Sequence, residues 1–392
     1  MPRLACHRCR WTGELAALQA CPDCVATLAV AYDALGEWTG TGVWRYGSWL
    51  PVASGPTLGE GGTPLLRSRD GAWLKNEAAN PTLSFKDRAV AVATAMALEL
   101  GAPGLLCAST GNTAVSVAAY GARAGLPVTC LVPAGTPAGK LGLATGAGAQ
   151  VLEVRGTYSD AHALAAALAD RSGWANLTTT YVNPFLLEGD KTLGLELYEQ
   201  LGRVPEAVVV PIGAGPLLAG IGKAFDELGK GTPRLYGVQA AGCAPIARAF
   251  DEGEPVRPWE TPDTRAGAIA DPLTGYAADG DRTLAAIRAS DGRALAVGDD
   301  ELAAAADDLA RQGLAVELSA AAAEAGRRRL GLTDCVVVLT GHASKDPHST
   351  GAEPLGAVAP GDVEAAERLL TRARAGGAAG RAAPRSATSR RR

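Results

Sequence analysis

From Leu105 onward, short apolar runs alternate with amphipathic stretches that are long enough to form helices. The first runs lie at 105–107, 128–132 and 150–154, with helix-length stretches around 113–124, 140–145 and 161–170. Further apolar runs, of a kind typical of strands buried on both faces, lie at 207–210, 235–238 and 335–339. Alternation of strands and helices predicts parallel sheets with flanking crossover helices. We therefore predict an α/β fold of two lobes, with a ligand cleft between them.

Two segments interrupt this alternation. Residues 253–281 are rich in Pro, Gly and Asp and lack a clear period, which indicates a long irregular excursion near the cleft. The last residues are Ala, Gly, Ser and Arg in low-complexity order, which is typical of a disordered basic tail. The predicted division is a knuckle at 1–30, a lead-in at 31–85 that belongs partly to the large lobe, a smaller lobe at 86–200, the large lobe at 201–371 and the tail at 372–392.

Composition narrows the class of protein. The chain has 392 residues, of which 47% are hydrophobic and 20% charged, as expected for two globular domains with a large core. Its net charge of −4 argues against a nucleic-acid partner, because non-specific binding relies on neutralising phosphates. No apolar run reaches the length of a membrane span, and the first residues lack a signal-peptide core. We expect a cytoplasmic protein without nucleic-acid or membrane partners.

The eight cysteines form two groups. One group lies in apolar runs and is predicted to be buried: Cys107, Cys130, Cys243 and Cys335. The other group forms two close pairs that suit four thiolates around a tetrahedral Zn²⁺: Cys6 with Cys9, and Cys21 with Cys24. Arg10 and Val25 stand where such knuckles usually carry glycine. Four thiolates leave no open coordination position, so the predicted zinc is structural.

One lysine differs from the others in its surroundings. Lys86 follows the polar segment 80–85 at the start of a predicted helix, and the loop 109–113 comes soon after. A lysine opposite a loop of small polar residues suits an amine that forms a Schiff base with a carbonyl cofactor. The alternative is an ordinary surface lysine that begins a helix.

A glycine turn supplies the second half of this site. Gly213 and Gly215 follow a buried run and precede a predicted helix at 217–228, where backbone amides can hold a phosphate. With Lys86 and the loop 109–113, the turn predicts a pyridoxal phosphate site divided across the cleft. Nucleotide binding is the competing interpretation, but the chain lacks both a phosphate-loop lysine signature and a full dinucleotide fingerprint.

Further blocks occur in order between about residues 55 and 350. They read GEGGTPL at 59–65, NPT at 80–82, SFKDR at 84–88, ASTGNT at 108–113, VNP at 182–184 and TGH at 340–342. This series resembles threonine synthases, within the fold type II family of pyridoxal phosphate enzymes, and the cysteine pairs resemble the zinc-ribbon-like knuckle of many members. The resemblance implies a two-lobe, tryptophan synthase β-like fold, a lyase of amino-acid biosynthesis, and a homodimer as a candidate assembly.

The resemblance also implies roles for individual residues. Lys86 would be the Schiff-base lysine and general base, Asn112 would hydrogen-bond the cofactor's ring hydroxyl, and Thr340 would meet its pyridine nitrogen. The turn that would hold the cofactor phosphate comprises Gly213, Ala214, Gly215, Pro216 and Leu217. The residues that would bind the substrate are Ser109, Thr110 and Thr113.

The chain departs from this family pattern at several positions. Leu83 replaces a usual glycine, Pro216 removes a backbone donor from the phosphate turn, and Leu186 replaces an arginine that helps to grip a substrate phosphate. Thr180 and Tyr181 replace an Asn-Ser pair near the same group. The predicted reaction is conversion of O-phosphohomoserine and water to threonine and phosphate, or the same chemistry on a non-phosphorylated analogue. The alternatives are β-replacement or a serine/threonine deaminase-type lyase, and, in another class, a non-catalytic zinc-ribbon binding protein.

Overall fold

The computed structural model describes residues 1–136 and 138–345, together with 363–364 and 367–368; at 138–140 it describes the backbone alone. The chain divides into two units, Met1–His348 and Ser349–Arg392. The tail predicted at 372–392 lies outside the described residues.

From Leu105 onward the strands and α-helices of the described part alternate as predicted, with two exceptions. The strands are β1 (Arg3–Cys6), β2 (Thr12–Gly13), β3 (Leu28–Ala31), β4 (Leu65–Arg67), β5 (Trp73–Asn76), β6 (Leu105–Ala108), β7 (Val128–Pro133), β8 (Gln150–Val154), β9 (Ala175–Asn176), β10 (Ala207–Pro211), β11 (Arg234–Ala240), β12 (Arg293–Val297) and β13 (Val336–Leu339). The α-helices are α1 (Lys86–Glu99), α2 (Asn112–Ala124), α3 (Ala138–Gly146), α4 (Tyr158–Ser172), α5 (Pro184–Leu201), α6 (Pro216–Leu228), α7 (Pro245–Glu252), α8 (Ala277–Ala289), α9 (Asp299–Arg311) and α10 (Leu318–Leu330). The two exceptions are that α8 follows α7 and α10 follows α9 without an intervening strand. None of the described helices is long and apolar enough to cross a bilayer.

The larger sheet has six strands in the order β12-β11-β10-β13-β5-β4. All neighbouring strands are parallel except the β4–β5 hairpin. Its central strands β10 and β13 consist of buried residues throughout, which explains their continuous apolar sequences. The second sheet has four parallel strands in the order β8-β7-β6-β9. Two parallel sheets with flanking helices confirm the α/β prediction.

The segment predicted to be irregular is largely so. Between the end of α7 and the start of α8, the only regular element is a 3-10 helix at Gly267–Ile269. The four cysteines predicted to be buried lie in the interior, and Cys107 Sγ lies 3.9 Å from Cys130 Sγ on the neighbouring strand.

Three helices meet where α1 begins. Gly189 of α5 lies so close to α1 that a Cβ atom there would stand 2.2 Å from the carbonyl oxygen of Arg88. Gly220 of α6 lies tightly against α5, and an added Cβ would stand 2.9 Å from Asp190 Cβ. Side chains larger than hydrogen would push these helices apart. The two glycines therefore place Asp190 at the junction of α1, α5 and α6.

Candidate active site

Lys86 is the first residue of α1 and follows a tight turn. In that turn Leu83 has φ +63°, a left-handed backbone conformation that favours glycine. The turn is fastened to the segment after β13, because the Phe85 amide donates to the Thr340 carbonyl at 3.0 Å and Ser84 forms a backbone bridge with Gly341. Lys86 and Thr340, which are far apart in sequence, are thus brought to neighbouring backbone positions.

The Lys86 amine lies in an enclosed but solvent-reachable position. Burial lowers the pKa of Lys86 to about 8, while the carboxylates of Asp190, Glu317 and Asp271 oppose that shift. A pKa near the operating pH leaves an appreciable fraction of the amine neutral, as a nucleophile or general base requires. Burial at the helix start therefore gives Lys86 the properties of a reactive amine, and the three acids limit how far its pKa falls.

Asn112 begins α2 directly after the loop that follows β6. Its side-chain amide donates to both carboxylate oxygens of Glu317, at 3.0 and 3.2 Å. Glu317 is fixed in turn, since its backbone amide donates to the Gly341 carbonyl at 3.0 Å. A Cβ atom at Gly341 would stand 2.4 Å from Glu317 Oε1, so a side chain there would displace the Glu317 carboxylate. Asn112 is consequently held beside the segment that carries Thr340.

The glycine turn connects β10 to α6. Gly215 has φ +92°, and an added Cβ would stand 2.3 Å from Thr283 Cγ2. The Thr283 hydroxyl donates to the Ala214 carbonyl and fixes the turn from behind. Pro216 occupies the first position of α6 and has no amide proton, so the anion-binding capacity of this helix start rests on the remaining amides.

The predicted substrate residues lie on the loop between β6 and α2. The Ser109 hydroxyl accepts from the Gly111 amide at 3.2 Å, which stabilises the loop itself. The buried Thr113 hydroxyl lies 2.8 Å from that of Thr179. Thr110 is half-buried between them. The loop is therefore ordered against the segment 178–181, which follows β9.

The structure adds three acids that the sequence reasoning missed. Besides Glu317 these are Asp190 and Asp271. Burial raises the pKa of Asp190 to about 7 against the opposing charge of Lys86, and burial also raises the pKa of Asp271. Asp190 Oδ1 accepts no hydrogen bond from any described residue. The sequence feature that could have identified Asp190 is a charged residue within the helix Pro184–Leu201, whose positions 184–197 are all buried in the structure. Asp271 lies in an irregular segment, where no sequence pattern marks it.

Residues that depart from the family pattern also take defined places. Leu186 is 1% exposed and packs in the apolar core that includes Ala89 of α1. The Tyr181 hydroxyl lies 2.8 Å from that of Thr283, and the Tyr181 amide donates to Asp279 at 3.1 Å. Burial raises the pKa of Asp279 to about 6. Leu186 thus contributes no polar group to the cleft.

The N-terminal cysteines converge on one point. The four thiol sulfurs of Cys6, Cys9, Cys21 and Cys24 lie within 4.8 Å of one another, in a unit built on the antiparallel strands β2-β1-β3. Val25, at one position where glycine is usual, has φ +61°. Its backbone thus adopts the conformation for which such knuckles use glycine.

Comparison with known proteins agrees with this geometry. The family model for pyridoxal-phosphate dependent enzymes matches residues 56–341. A threonine synthase from Methanosarcina acetivorans is 42% identical over 332 residues, covering 78% of this chain and 81% of that protein. A threonine synthase from Methanocaldococcus jannaschii is 40% identical over 337 residues, with the same coverage of 78% and 81%. Among solved structures, a threonine deaminase from T.th. superposes with a TM-score of 0.63 at 29% identity, covering 74% of this chain and 94% of that one.

Proposed function

Because the chain belongs to the family of pyridoxal-phosphate dependent enzymes and is a threonine synthase-like lyase, we propose that it catalyses elimination and addition on an amino acid at the Lys86 site. The proposed reaction converts O-phosphohomoserine and water to threonine and phosphate, or carries out the same chemistry on a non-phosphorylated analogue. The observation that carries the proposal is the enclosed Lys86 amine, whose pKa is lowered to about 8 at the start of α1.

The residues at the site fit pyridoxal phosphate. Ser84 Oγ is fully buried beside the Gly341 bridge and has no hydrogen-bond partner among the described residues, so a polar ligand group can satisfy it. We propose that Lys86 binds the cofactor aldehyde, Asn112 its ring hydroxyl and Thr340 its ring nitrogen. The phosphate would lie against the turn Gly213–Leu217. When bound, the cofactor supplies an electron sink for charge that develops at the substrate α-carbon.

Groups of the protein itself transfer the proton, orient Asn112 and bind the substrate carboxylate. The neutral Lys86 amine accepts the proton from the substrate α-carbon as general base. Glu317 orients the Asn112 amide through two hydrogen bonds, at 3.0 and 3.2 Å. The loop 109–113 offers hydroxyls and backbone amides to the substrate carboxylate. Asp190, whose pKa lies at about 7, can hold or release a proton next to Lys86 as the amine changes charge.

A deaminase-type reaction is the second candidate. It is favoured by Leu186, which places an apolar side chain where the family pattern has an arginine for a substrate phosphate. The similarity to a solved threonine deaminase, at 29% identity and a TM-score of 0.63, agrees with this alternative.

Parallel assays separate the candidates. The purified holoenzyme is incubated with O-phosphohomoserine, O-phosphoserine and threonine, while threonine, inorganic phosphate and 2-oxo acids are measured. Threonine and phosphate from the first substrate alone establish the threonine synthase reaction. A 2-oxo acid from threonine, with no product from O-phosphohomoserine, establishes the deaminase instead.

We also propose that the four thiolates of Cys6, Cys9, Cys21 and Cys24 hold a structural Zn²⁺, which is supported by the clustering of their sulfurs within 4.8 Å. Zinc analysis of the purified protein against a Cys9→Ser variant tests this. The cytoplasmic location, the homodimer, and the lack of nucleic-acid and membrane partners stay predictions.

A further inference from the structure

One side of the cleft is bounded by the segment that follows β9. Thr178 Oγ1 accepts from the Ala108 amide at 2.9 Å, and Thr179 Oγ1 lies 2.8 Å from Thr113 Oγ1. These contacts hold residues 178–181 against the predicted substrate loop. Thr180 is therefore placed next to the groups that would bind the substrate carboxylate.

From Thr180 the contacts continue into the irregular segment before α8. Thr180 Oγ1 lies 3.4 Å from His162 Nε2 on α4. The His162 ring stacks on that of Tyr276, with centroids 4.4 Å apart and an interplanar angle of 14°. The Tyr276 hydroxyl donates to Asp271 Oδ1 at 2.6 Å. A wall of polar and aromatic groups thus joins the smaller sheet to the larger one.

Asp271 is the last residue of this wall and lies beside the glycine turn. It faces the glycine turn, since a Cβ atom at Gly213 would stand 3.1 Å from Asp271 Cβ and 3.6 Å from its Oδ2. Its charge also acts on the Lys86 amine. The carboxylate therefore lies beside Gly213 and within electrostatic reach of the Lys86 amine.

The titratable groups around this wall are mostly acids. Besides Lys86, the described groups whose pKa the charge of Asp271 raises are Asp279, Tyr158, Tyr276 and Cys243. The two phenols and the thiol are neutral when protonated. Burial lowers the pKa of His162, so that ring is neutral near pH 7.

Among the side chains that the structure describes, the cations near this wall are engaged elsewhere. Arg282 stacks on Tyr181 and donates to Thr27 Oγ1 at 2.8 Å and to the Leu28 carbonyl at 3.0 Å, in the knuckle. Lys345 donates to the Thr82 carbonyl at 2.6 Å, on the side of Glu317 and Asp87. A phosphate at the wall would face a carboxylate rather than an arginine fork.

We propose that the wall formed by Thr180, His162, Tyr276 and Asp271 is the distal substrate subsite, and that it takes an amino acid whose side chain ends in a hydroxyl or an ammonium group rather than a phosphate. Asp271 is the acceptor for that group. The proposal rests on the function proposed above and specifies its substrate class. A desolvated carboxylate gains a hydrogen bond from a donor and is destabilised by a second anion, so the subsite selects by both attraction and repulsion.

The test measures binding to the holoenzyme through the absorbance of the cofactor. The ligands are homoserine, 2,4-diaminobutyrate, O-phosphohomoserine and norvaline, which has no distal polar group. We expect homoserine or 2,4-diaminobutyrate to bind about 10-fold more tightly than norvaline, the usual gain from one hydrogen bond to a charged group, and O-phosphohomoserine to bind most weakly.

Two variants and a control locate the effect. Asp271→Asn should weaken 2,4-diaminobutyrate about 10-fold and strengthen O-phosphohomoserine, with norvaline unchanged. Asp263→Asn, the same substitution at an exposed position of the same segment, should change none of them. If Asp271→Asn does not fold, Thr180→Val provides the same comparison and should reduce the preference for homoserine over norvaline.

Three outcomes overturn the proposal. Tightest binding of O-phosphohomoserine by the unaltered enzyme removes it and leaves the proposed function intact. An equal loss for all four ligands in Asp271→Asn shows a structural role alone. No spectral response to any amino acid, in a protein that holds the cofactor, contradicts the proposed function as well.

Discussion

Two groups of buried charges lie near the first turn of α1 and are satisfied to very different degrees. Arg88 donates to Glu77 at 2.7 and 2.9 Å and to Glu196 at 2.9 Å, and Lys75 pairs with Glu196 from the other side. Two residues earlier, the charges of Asp190 and Asp271 act on the pKa of Lys86. Neither acid forms an ion pair in the described part of the chain.

The difference separates structure from chemistry. In the Arg88 network the cations equal the acids in number and donate hydrogen bonds to them directly. The charges therefore stabilise one another in the interior. Near Lys86, Asp190 lies at the helix junction and Asp271 lies in the irregular segment, where Tyr276 donates to it. Neither acid has a cationic partner within salt-bridge distance in the described part of the chain, and burial raises the pKa of both. Sites prepared for a ligand keep groups that the protein itself leaves unsatisfied.

Replacement of Lys86 gives the largest expected effect on activity. Lys86→Ala should reduce turnover by about 10³-fold or more, because both the cofactor attachment and the general base are removed. The unfolding midpoint in urea should change little, since Lys86 forms no salt bridge with any residue that the structure describes. Lys230→Ala, at an exposed position, is the control and should retain activity. Retained turnover in Lys86→Ala would assign the chemistry to another group.

Arg88 should show the reverse behaviour. Arg88→Met leaves Glu77 and Glu196 buried without their partner, which should reduce the free energy of unfolding by about 3–5 kcal/mol. Urea titration followed by circular dichroism measures this loss. The fraction that remains folded should still bind cofactor at Lys86. A loss below about 1 kcal/mol would show that the network is not structural.

Asp190 gives a pH-dependent effect. Its pKa is raised from 3.8 to about 7 in the folded state. Ionisation of Asp190 therefore lowers the free energy of unfolding as the pH rises through that interval. Asp190→Asn should therefore be more stable than the parent at pH 8.5, on the order of 1–2 kcal/mol, and show little gain at pH 4. Urea unfolding at both pH values measures this, with exposed Asp307→Asn as the control. A gain independent of pH would contradict the assignment.

The smallest effect is expected at Leu83, in the turn that carries Lys86. Its φ of +63° suits glycine, so Leu83→Gly should be more stable than Leu83→Ala by about 1 kcal/mol. At an ordinary backbone position the order is the opposite, because glycine has the greater conformational entropy to lose. Urea unfolding of the two variants decides the sign, and a more stable alanine variant would show that the turn is not strained.

Local patterns predicted much of this site. Lys86, Asn112 and the Gly213 turn each lie at a helix start, and Thr340 directly follows a buried strand, so short sequence blocks could identify them. The Leu83 exception to glycine was visible in the sequence, although its strained backbone was not.

The acids could not be identified in the same way. Glu317 reaches Asn112 from 205 positions away, and Asp190 reaches Lys86 only because Gly189 and Gly220 permit close helix contact. Such contacts depend on tertiary packing, which no local period encodes.

Peptide mapping shows directly whether Lys86 or a lysine of the Arg88 network carries the cofactor. The holoenzyme is reduced with borohydride, digested, and its peptides are mapped by mass spectrometry. We expect the reduced cofactor on the peptide that contains Lys86, with Lys75 and Lys345 unmodified. Cofactor on another lysine, or a chain that holds none, would contradict it.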